Sequence, residues 1–189
     1  MSFWRTALIT TILIIIALAI LALLAFAATK PNSFSIERST LVKARPDAVF
    51  PLIQDFRQWQ HWSPWEGIDP NLRRTYTGPA QGKGAVYAYQ GNNKVGAGRM
   101  EILEAAAPSR VLIQLDFIKP FKANNTAEFT LAPSAEGTKV NWAMFGPQPF
   151  IVKTMSLFFN MEKMVGPDFE RGLAKMKTLA EQTPARLPG

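Results

Sequence analysis

The chain has 189 residues, which suffices for one ordinary domain with an appendage and for a substantial buried core. It contains no cysteine, which excludes disulfide frameworks, thiolate zinc sites and cysteine nucleophiles. Lys and Arg outnumber Asp and Glu by 21 to 14, but the positive residues are scattered and do not interleave with aromatic ones. We therefore expect no nucleic-acid partner.

An uncharged run over residues 7–28 is dominated by Leu, Ile and Ala. As an α-helix it would be about 33 Å long, at about 1.5 Å per residue, which matches a hydrocarbon core of about 30 Å. Trp4 and Arg5 precede the run, as an interfacial aromatic and a charged anchor do. We predict an amino-terminal transmembrane anchor over residues 1–29 of a single-pass membrane protein.

Two alternatives to a retained anchor stay open. Ala25-Phe26-Ala27 fits the small-x-small pattern of a cleaved signal peptide, although the apolar run is longer than the usual signal core. A buried core helix is the third interpretation. Basic residues flank both ends of the run, so their distribution does not set the side of the membrane on which the domain lies. Residues 30–33 form a short linker.

A globular domain is predicted over residues 34–182, followed by a flexible tail over residues 183–189. A first strand extends from about Phe34 to Lys43. A short helix then begins near Pro46, since proline is tolerated in a first helical turn. The tryptophan-rich stretch that follows predicts another short helix and a loop.

From Leu72 onward, short alternating apolar and polar segments are separated by turn residues such as Gly91-Asn92-Asn93. This pattern predicts an antiparallel meander with one apolar and one polar face. Apolar residues then recur every three or four positions from Ile151 to Leu179, which predicts a long helix. Gly166-Pro167 is expected to kink or split that helix.

The predicted fold class is α+β. A curved antiparallel sheet of six to seven strands wraps around the long carboxy-terminal helix, and one transmembrane helix precedes it. A single helix does not fill the whole concave side of a curved sheet of this size, so a cavity between the sheet and the helix is expected.

Several short motifs resemble a known family over about Phe34 to Glu181. Trp62-Ser63-Pro64-Trp65 and the run from Gly166 to Glu170 are the most specific of them. The chain resembles the SRPBCC or START-like superfamily, which has the helix-grip fold of the birch pollen allergen, and most of all its polyketide cyclase/dehydrase-like branch. The resemblance implies an apolar ligand cavity. It implies no single activity, because the superfamily includes lipid carriers, hormone binders, cochaperones and aromatase/cyclases.

The candidate ligand-binding residues lie on the predicted concave face of the sheet, on the helix and at the mouth, provided that the strand register holds. Plain core packing is the alternative for each of them. Trp59 is expected to pack inward. The sheet residues are Tyr87, Tyr89, Met100, Leu115, Phe117, Phe129, Trp142 and Met144; the helix residues are Met155, Phe158 and Phe169; the mouth residues are Trp62 and Trp65.

An enzyme of the cyclase kind would need groups that polarise carbonyls and move protons inside the cavity. The weak catalytic candidates are His61, Tyr89 and Arg99, with Tyr76, Tyr87 and Glu101 beside them. His61 is the only histidine, and an ordinary loop histidine is the simpler interpretation. One histidine with scattered carboxylates gives no metal-ligand spacing, so neither a metal nor a cofactor is expected.

These observations favour a membrane-anchored domain that binds or transfers a hydrophobic small molecule or lipid. A cyclase- or dehydratase-like enzyme acting on an aromatic or polyketide-like compound is the main alternative. A protein-interaction module with a filled core is the third. Phe158 and Phe159 cannot both face the sheet, so residues 151–165 are also a candidate lip that faces the membrane or gates the cavity.

Overall fold

The structure is a computed structural model that describes residues 2–182, so the tail predicted over residues 183–189 lies outside the described residues. The chain divides into two compact units. The first unit is Met1–Phe34 with Pro147–Met161, and the second unit is Ser35–Gly146 with Glu162–Gly189.

Five helices and seven strands follow one another along the described residues. In chain order they are α1 (Ser2–Ala28), β1 (Ser33–Val42), α2 (Pro46–Gln54), α3 (Trp59–Trp62), β2 (Arg73–Thr77), β3 (Val86–Gln90), β4 (Ala97–Ala106), β5 (Arg110–Lys119), β6 (Ala123–Ser134), β7 (Gly137–Pro147), α4 (Phe150–Met155) and α5 (Met161–Gln182).

The seven strands form one antiparallel sheet in the order β1-β7-β6-β5-β4-β3-β2. Strands β2 to β7 pair with their neighbours in the chain, as hairpins do, and β1 closes the other edge beside β7. Strand β5 shows why the sheet forms: Val111, Ile113 and Leu115 are buried, while the residues between them are partly exposed. The predicted α+β class, with a curved sheet and a carboxy-terminal helix, is confirmed.

Helix α5 buries one face of its length. Phe169, Leu173, Met176 and Ala180 recur at spacings of four, three and four residues, and each is at most 2% exposed. Gly172 lies on the same face, where a Cβ atom would come within 2.9 Å of the Trp142 ring. The absence of a side chain at this position lets α5 approach the sheet closely.

Of the two outcomes predicted at Gly166-Pro167, a split of the carboxy-terminal helix is wrong, and a kink stays a prediction. The helical region is interrupted earlier, over residues 156–160, and α5 runs through Gly166 and Pro167 as one helix. Proline removes one backbone hydrogen bond from a helix interior, so contacts elsewhere must keep the two halves aligned.

Arg38 of β1 supplies those contacts. Its Nη1 donates to Glu162 at 2.5 Å, and its Nε donates to Glu170 at 2.7 Å, so the guanidinium bridges two turns on either side of the proline. A Cβ atom at Gly166 would collide with this guanidinium. Glycine before the proline therefore makes room for the group that joins the two halves.

In the first unit, α1 is long and apolar enough over Ala7–Ala28 to cross a membrane. This finding rests on length and composition, and a signal sequence meets the same test. Helix α4 packs against α1 within this unit.

Candidate ligand cavity

The second unit contains a cavity of about 300 Å³ with a mainly apolar lining, at the small end of the range typical of ligand pockets. The strands that form its wall are β3, β4, β5, β6 and β7, and α5 contributes from the other side. Nine of the thirteen predicted binding residues line it: Trp65, Tyr87, Tyr89, Met100, Leu115, Phe117, Trp142, Met144 and Phe169.

Strand register explains why these residues meet. Tyr87 of β3 is directly opposite Met100 of β4, and Met100 is opposite Leu115 of β5. Residues that are opposite each other in an antiparallel pair project from the same face of the sheet. The alternation of apolar and polar residues, combined with this register, therefore forms one continuous apolar wall across β3, β4 and β5.

Trp62 and Phe129 do not line the cavity. Each is 0% exposed, and their rings pack edge-on with centroids 6.0 Å apart. The Trp62 Nε1 donates to the carbonyl oxygen of Leu52 at 2.8 Å, which satisfies the polar end of the ring inside the core. The expectation that Trp62 stands at the mouth is therefore wrong, because a local backbone acceptor allows the whole indole to be buried.

Trp59 packs inward as expected and also reaches the cavity wall. It is 3% exposed, and its Nε1 donates to the carbonyl oxygen of Ile53 at 3.0 Å. Met155 and Phe158 belong to the first unit, are 44% and 69% exposed, and are not among the lining residues.

Trp142 is the centre of the aromatic part of the wall. Its ring stacks on Phe169 with centroids 4.0 Å apart and on Phe129 at 5.0 Å, while Trp65 meets it edge-on at 5.8 Å. Trp142 is 2% exposed, yet its Nε1 has no hydrogen-bond partner among the described residues. An unmade hydrogen bond at a buried donor costs about 1–3 kcal/mol, and this N–H carries that cost.

Glu66 is the most enclosed charged group of the wall, with a side chain that is 8% exposed. The Tyr87 hydroxyl donates to its Oε1 at 2.8 Å, and Arg74 donates to its Oε2 from Nε at 2.9 Å and from Nη2 at 2.6 Å. Burial, followed by the bond to Glu66, raises the pKa of Tyr87 well above its usual range. The Glu66 carboxylate thus accepts hydrogen bonds from both the Tyr87 phenol and the Arg74 guanidinium.

The other candidates for proton transfer are similarly placed. Burial raises the pKa of Tyr89, which keeps its hydroxyl protonated at neutral pH. Arg99 lines the cavity and pairs with Glu101 at 2.6 Å and with Asp116 at 3.6 Å. Tyr76 stacks on Tyr87 with centroids 5.1 Å apart but does not line the cavity.

His61 is exposed on α3 and does not line the cavity. Residues 2–182 contain no group of three or more His, Asp and Glu that could hold a metal ion. The cavity therefore brings together tyrosines, one arginine and two carboxylates, without the histidine on which a histidine-based mechanism would depend.

Four charged lining residues are not among the predicted site residues: Glu66, Lys94, Asp116 and Lys119. Glu66 directly follows Trp65 in the sequence. This position next to the tryptophan-rich motif is the one local signal that could have indicated Glu66 as a lining residue. Lys94 lies in the loop before β4 and Lys119 ends β5, and both are exposed. Nothing in the local pattern indicates that these two positions meet at one cavity.

An antiparallel sheet with an apolar cavity against a carboxy-terminal helix defines a helix-grip fold. Residues 33–181 match the family described as "Polyketide cyclase / dehydrase and lipid transport", and the chain belongs to that family. The expected superfamily is thereby confirmed. No curated protein matches the chain.

Solved structures with this fold are similar over most of their length. Protein CV1439 from Chromobacterium violaceum has a TM-score of 0.56 at 15% identity, with 81% of this chain and 100% of that chain covered. SA2116 from Staphylococcus aureus has a TM-score of 0.59 at 14% identity, with 79% and 94% covered. The Aha1 dimer from Colwellia psychrerythraea has a TM-score of 0.58 at 14% identity, with 80% and 99% covered. At these identities the likeness shows the fold alone.

Proposed function

We propose that this chain is a membrane-anchored protein that binds or transfers a hydrophobic small molecule or lipid in the cavity of its second unit. The main support for the proposal is the composition of the cavity wall. The wall is mainly apolar, and Glu66, Arg99 and Asp116 are already engaged by other protein groups. A wall of this kind favours an apolar ligand and leaves few charged groups free to perform chemistry.

The ligand that best fits this wall is apolar with one oxygen-bearing end. The Trp142 Nε1 offers a buried donor that no described protein group uses. Lys94 and Lys119 also line the cavity and form no ion pair within residues 2–182. A ligand acceptor that meets one of these donors would regain a hydrogen bond, while the aromatic and methionine side chains accommodate the apolar body.

The amino-terminal helix supports the anchored form of this function. Hydrophobic molecules partition into bilayers, so a domain held at the membrane meets them where they are concentrated. Ala7–Ala28 has the length and composition for a single crossing. The anchor is part of the proposal. Amino-terminal sequencing of the protein purified from membranes distinguishes a retained anchor, which still begins with this segment, from a cleaved signal, which does not.

A cyclase- or dehydratase-like enzyme is the second candidate, favoured by the family description and by the Tyr87–Glu66 pair at the wall. The raised pKa values of Tyr87 and Tyr89 argue against either phenol as a base at neutral pH. The Tyr87 hydroxyl already donates its proton to Glu66, whereas the Tyr89 hydroxyl stays protonated and able to donate a hydrogen bond, so binding is the better supported role. The volume of the cavity disfavours the third candidate, a protein-interaction module with a filled core.

Photolabelling in nanodiscs tests the proposal. The full chain is exposed to a diazirine-bearing fatty acid, and the labelled peptides are mapped by mass spectrometry. Ala127 is 2% exposed and lines the cavity, so Ala127→Phe should fill ligand space; Ala132→Phe, on the exposed side of the same strand, is the matched control. We expect labelling of β5 and β7 to fall about tenfold in Ala127→Phe alone, which is about 1.4 kcal/mol of binding. Equal labelling in both variants would reject the cavity as the binding site.

A further inference from the structure

The segment around α4 exposes apolar side chains and buries a charged one, which is the reverse of the usual distribution in a soluble protein. Its large apolar side chains are exposed, while Lys153 is only 7% exposed. We call residues 150–159 the α4 segment. Five of its side chains are exposed by 44–69%: Phe150, Ile151, Met155, Phe158 and Phe159. A cluster of this size is more than the single apolar residues that soluble surfaces normally carry.

Two hydrogen bonds hold the α4 segment near the end of α1. The Lys153 Nζ donates to the Asn32 Oδ1 at 2.7 Å, and the Gln148 backbone N–H donates to the Asn32 carbonyl oxygen at 2.7 Å. Asn32 lies four residues beyond Ala28, the last residue of α1. Four extended residues span at most about 14 Å. The segment is therefore anchored within a few residues of the end of the apolar helix.

The charge of the first unit complements a bilayer surface. None of the 14 Asp and Glu residues of the chain falls within Met1–Phe34 or Pro147–Met161, which carry Arg5, Lys30 and Lys153. Anionic headgroups attract basic residues near a membrane by about 1 kcal/mol each and repel carboxylates. A surface that combines aromatic residues with the complete absence of acidic ones suits a membrane interface better than a mixed-charge protein partner.

From these three observations we propose that the α4 segment lies in the interfacial layer of the bilayer, with its exposed apolar side chains among the lipids. The proposal rests on α1 being a membrane anchor, which is part of the proposed function. Lys153 is turned inward to Asn32, so the lipid-facing side is apolar. The anchor and the α4 segment would then give the first unit two membrane contacts, one spanning and one lying flat.

The absence of native cysteine allows direct measurement of depth in the full chain. Phe159→Cys is labelled with an environment-sensitive fluorophore in nanodiscs of phosphatidylcholine and phosphatidylglycerol. Ala135→Cys, at an exposed position of the second unit, is the matched control. We expect blue-shifted emission at position 159, quenched by nitroxide-bearing lipids and protected from iodide. The label at position 135 should show the reverse.

A third label separates failure of this inference from failure of the anchor. Leu13 lies within the apolar run of α1, so Leu13→Cys should report lipid wherever the anchor is inserted. If position 13 is in lipid while position 159 is quenched by iodide as strongly as position 135, the α4 proposal is wrong and the anchor stands. If position 159 is shielded from both quenchers, a protein contact covers the segment and the proposal is also overturned. If position 13 is in water, both proposals fall.

Discussion

The two units of this protein differ in where their large aromatic residues lie. In the second unit, tryptophans and phenylalanines fill the interior, and most charged residues are at the surface or paired along the cavity wall. The buried Asp69 accepts hydrogen bonds from the backbone N–H groups of Asn71 and Asn92. In the first unit, the one buried residue of α4 is Lys153, and the exposed aromatic residues include Trp4, Phe26, Phe150, Phe158 and Phe159. This difference is what the proposed function requires, with water around the second unit and lipid around the first. A large aromatic residue is therefore expected to contribute more to the free energy of unfolding in the second unit than in the first.

The largest effect is predicted for a tryptophan of the second unit. Trp62 is fully buried and hydrogen-bonded, so Trp62→Ala should lower the free energy of unfolding by about 3–5 kcal/mol. Trp4→Ala is the matched control in the first unit, because Trp4 is 81% exposed. Urea unfolding of the detergent-solubilised chain, followed by tryptophan fluorescence, measures both. Similar losses in the two variants would break the comparison between the units.

A smaller loss is predicted at the charged part of the cavity wall. Glu66→Gln removes the charge that holds Arg74 and Tyr87, and should lower the free energy of unfolding by about 1–3 kcal/mol. Glu136→Gln, at an exposed position, is the control and should have no measurable effect. Photolabelling by the fatty acid should persist in Glu66→Gln, because the Glu66 carboxylate binds Arg74 and Tyr87 and not the ligand. Loss of labelling without loss of stability would instead assign Glu66 a direct contact with the ligand.

The buried lysine of the first unit should have a local effect. Lys153→Met removes the bond to Asn32, at a cost of about 1 kcal/mol, and should speed hydrogen exchange at the Gln148 amide. Lys122→Met, at an exposed position of the second unit, provides the comparison. Mass-spectrometric exchange in nanodiscs measures both. Unchanged exchange around Gln148 would show that Lys153 does not hold the α4 segment.

The smallest effect is predicted at the only histidine. His61 is exposed and lines no part of the cavity, so His61→Ala should change the free energy of unfolding by no more than about 0.5 kcal/mol. Fatty-acid labelling should also be unchanged. A fall in labelling with normal stability would place His61 in ligand recognition after all.

The sheet was predictable from the sequence because alternation at period two is a local signal. Val111, Ile113 and Leu115 show it within a single strand. The course of the carboxy-terminal helix was not predictable in the same way. Pro167 signals a break locally, but Arg38, more than a hundred residues earlier, joins the two halves across it. Contacts between distant residues override the local signal, and one sequence does not display them.

The candidate site shows the same limit. Period two placed Tyr87, Met100 and Leu115 on one wall, because register converts alternation into a shared face. The mouth position predicted for Trp62 failed, because the carbonyl of Leu52 accepts its N–H in the core. Glu66 was missed, because its partners come from β2 and β3, elsewhere in the chain.

Native mass spectrometry of the full chain, extracted from membranes and released from nanodiscs, shows whether the cavity holds a ligand. We expect a bound hydrophobic small molecule or lipid on the native chain and on Ala132→Phe, and no such molecule on Ala127→Phe. This pattern ties the bound mass to the cavity rather than to the surface of α1. A native chain that carries no such mass, or a mass that persists unchanged in Ala127→Phe, would contradict binding in the cavity.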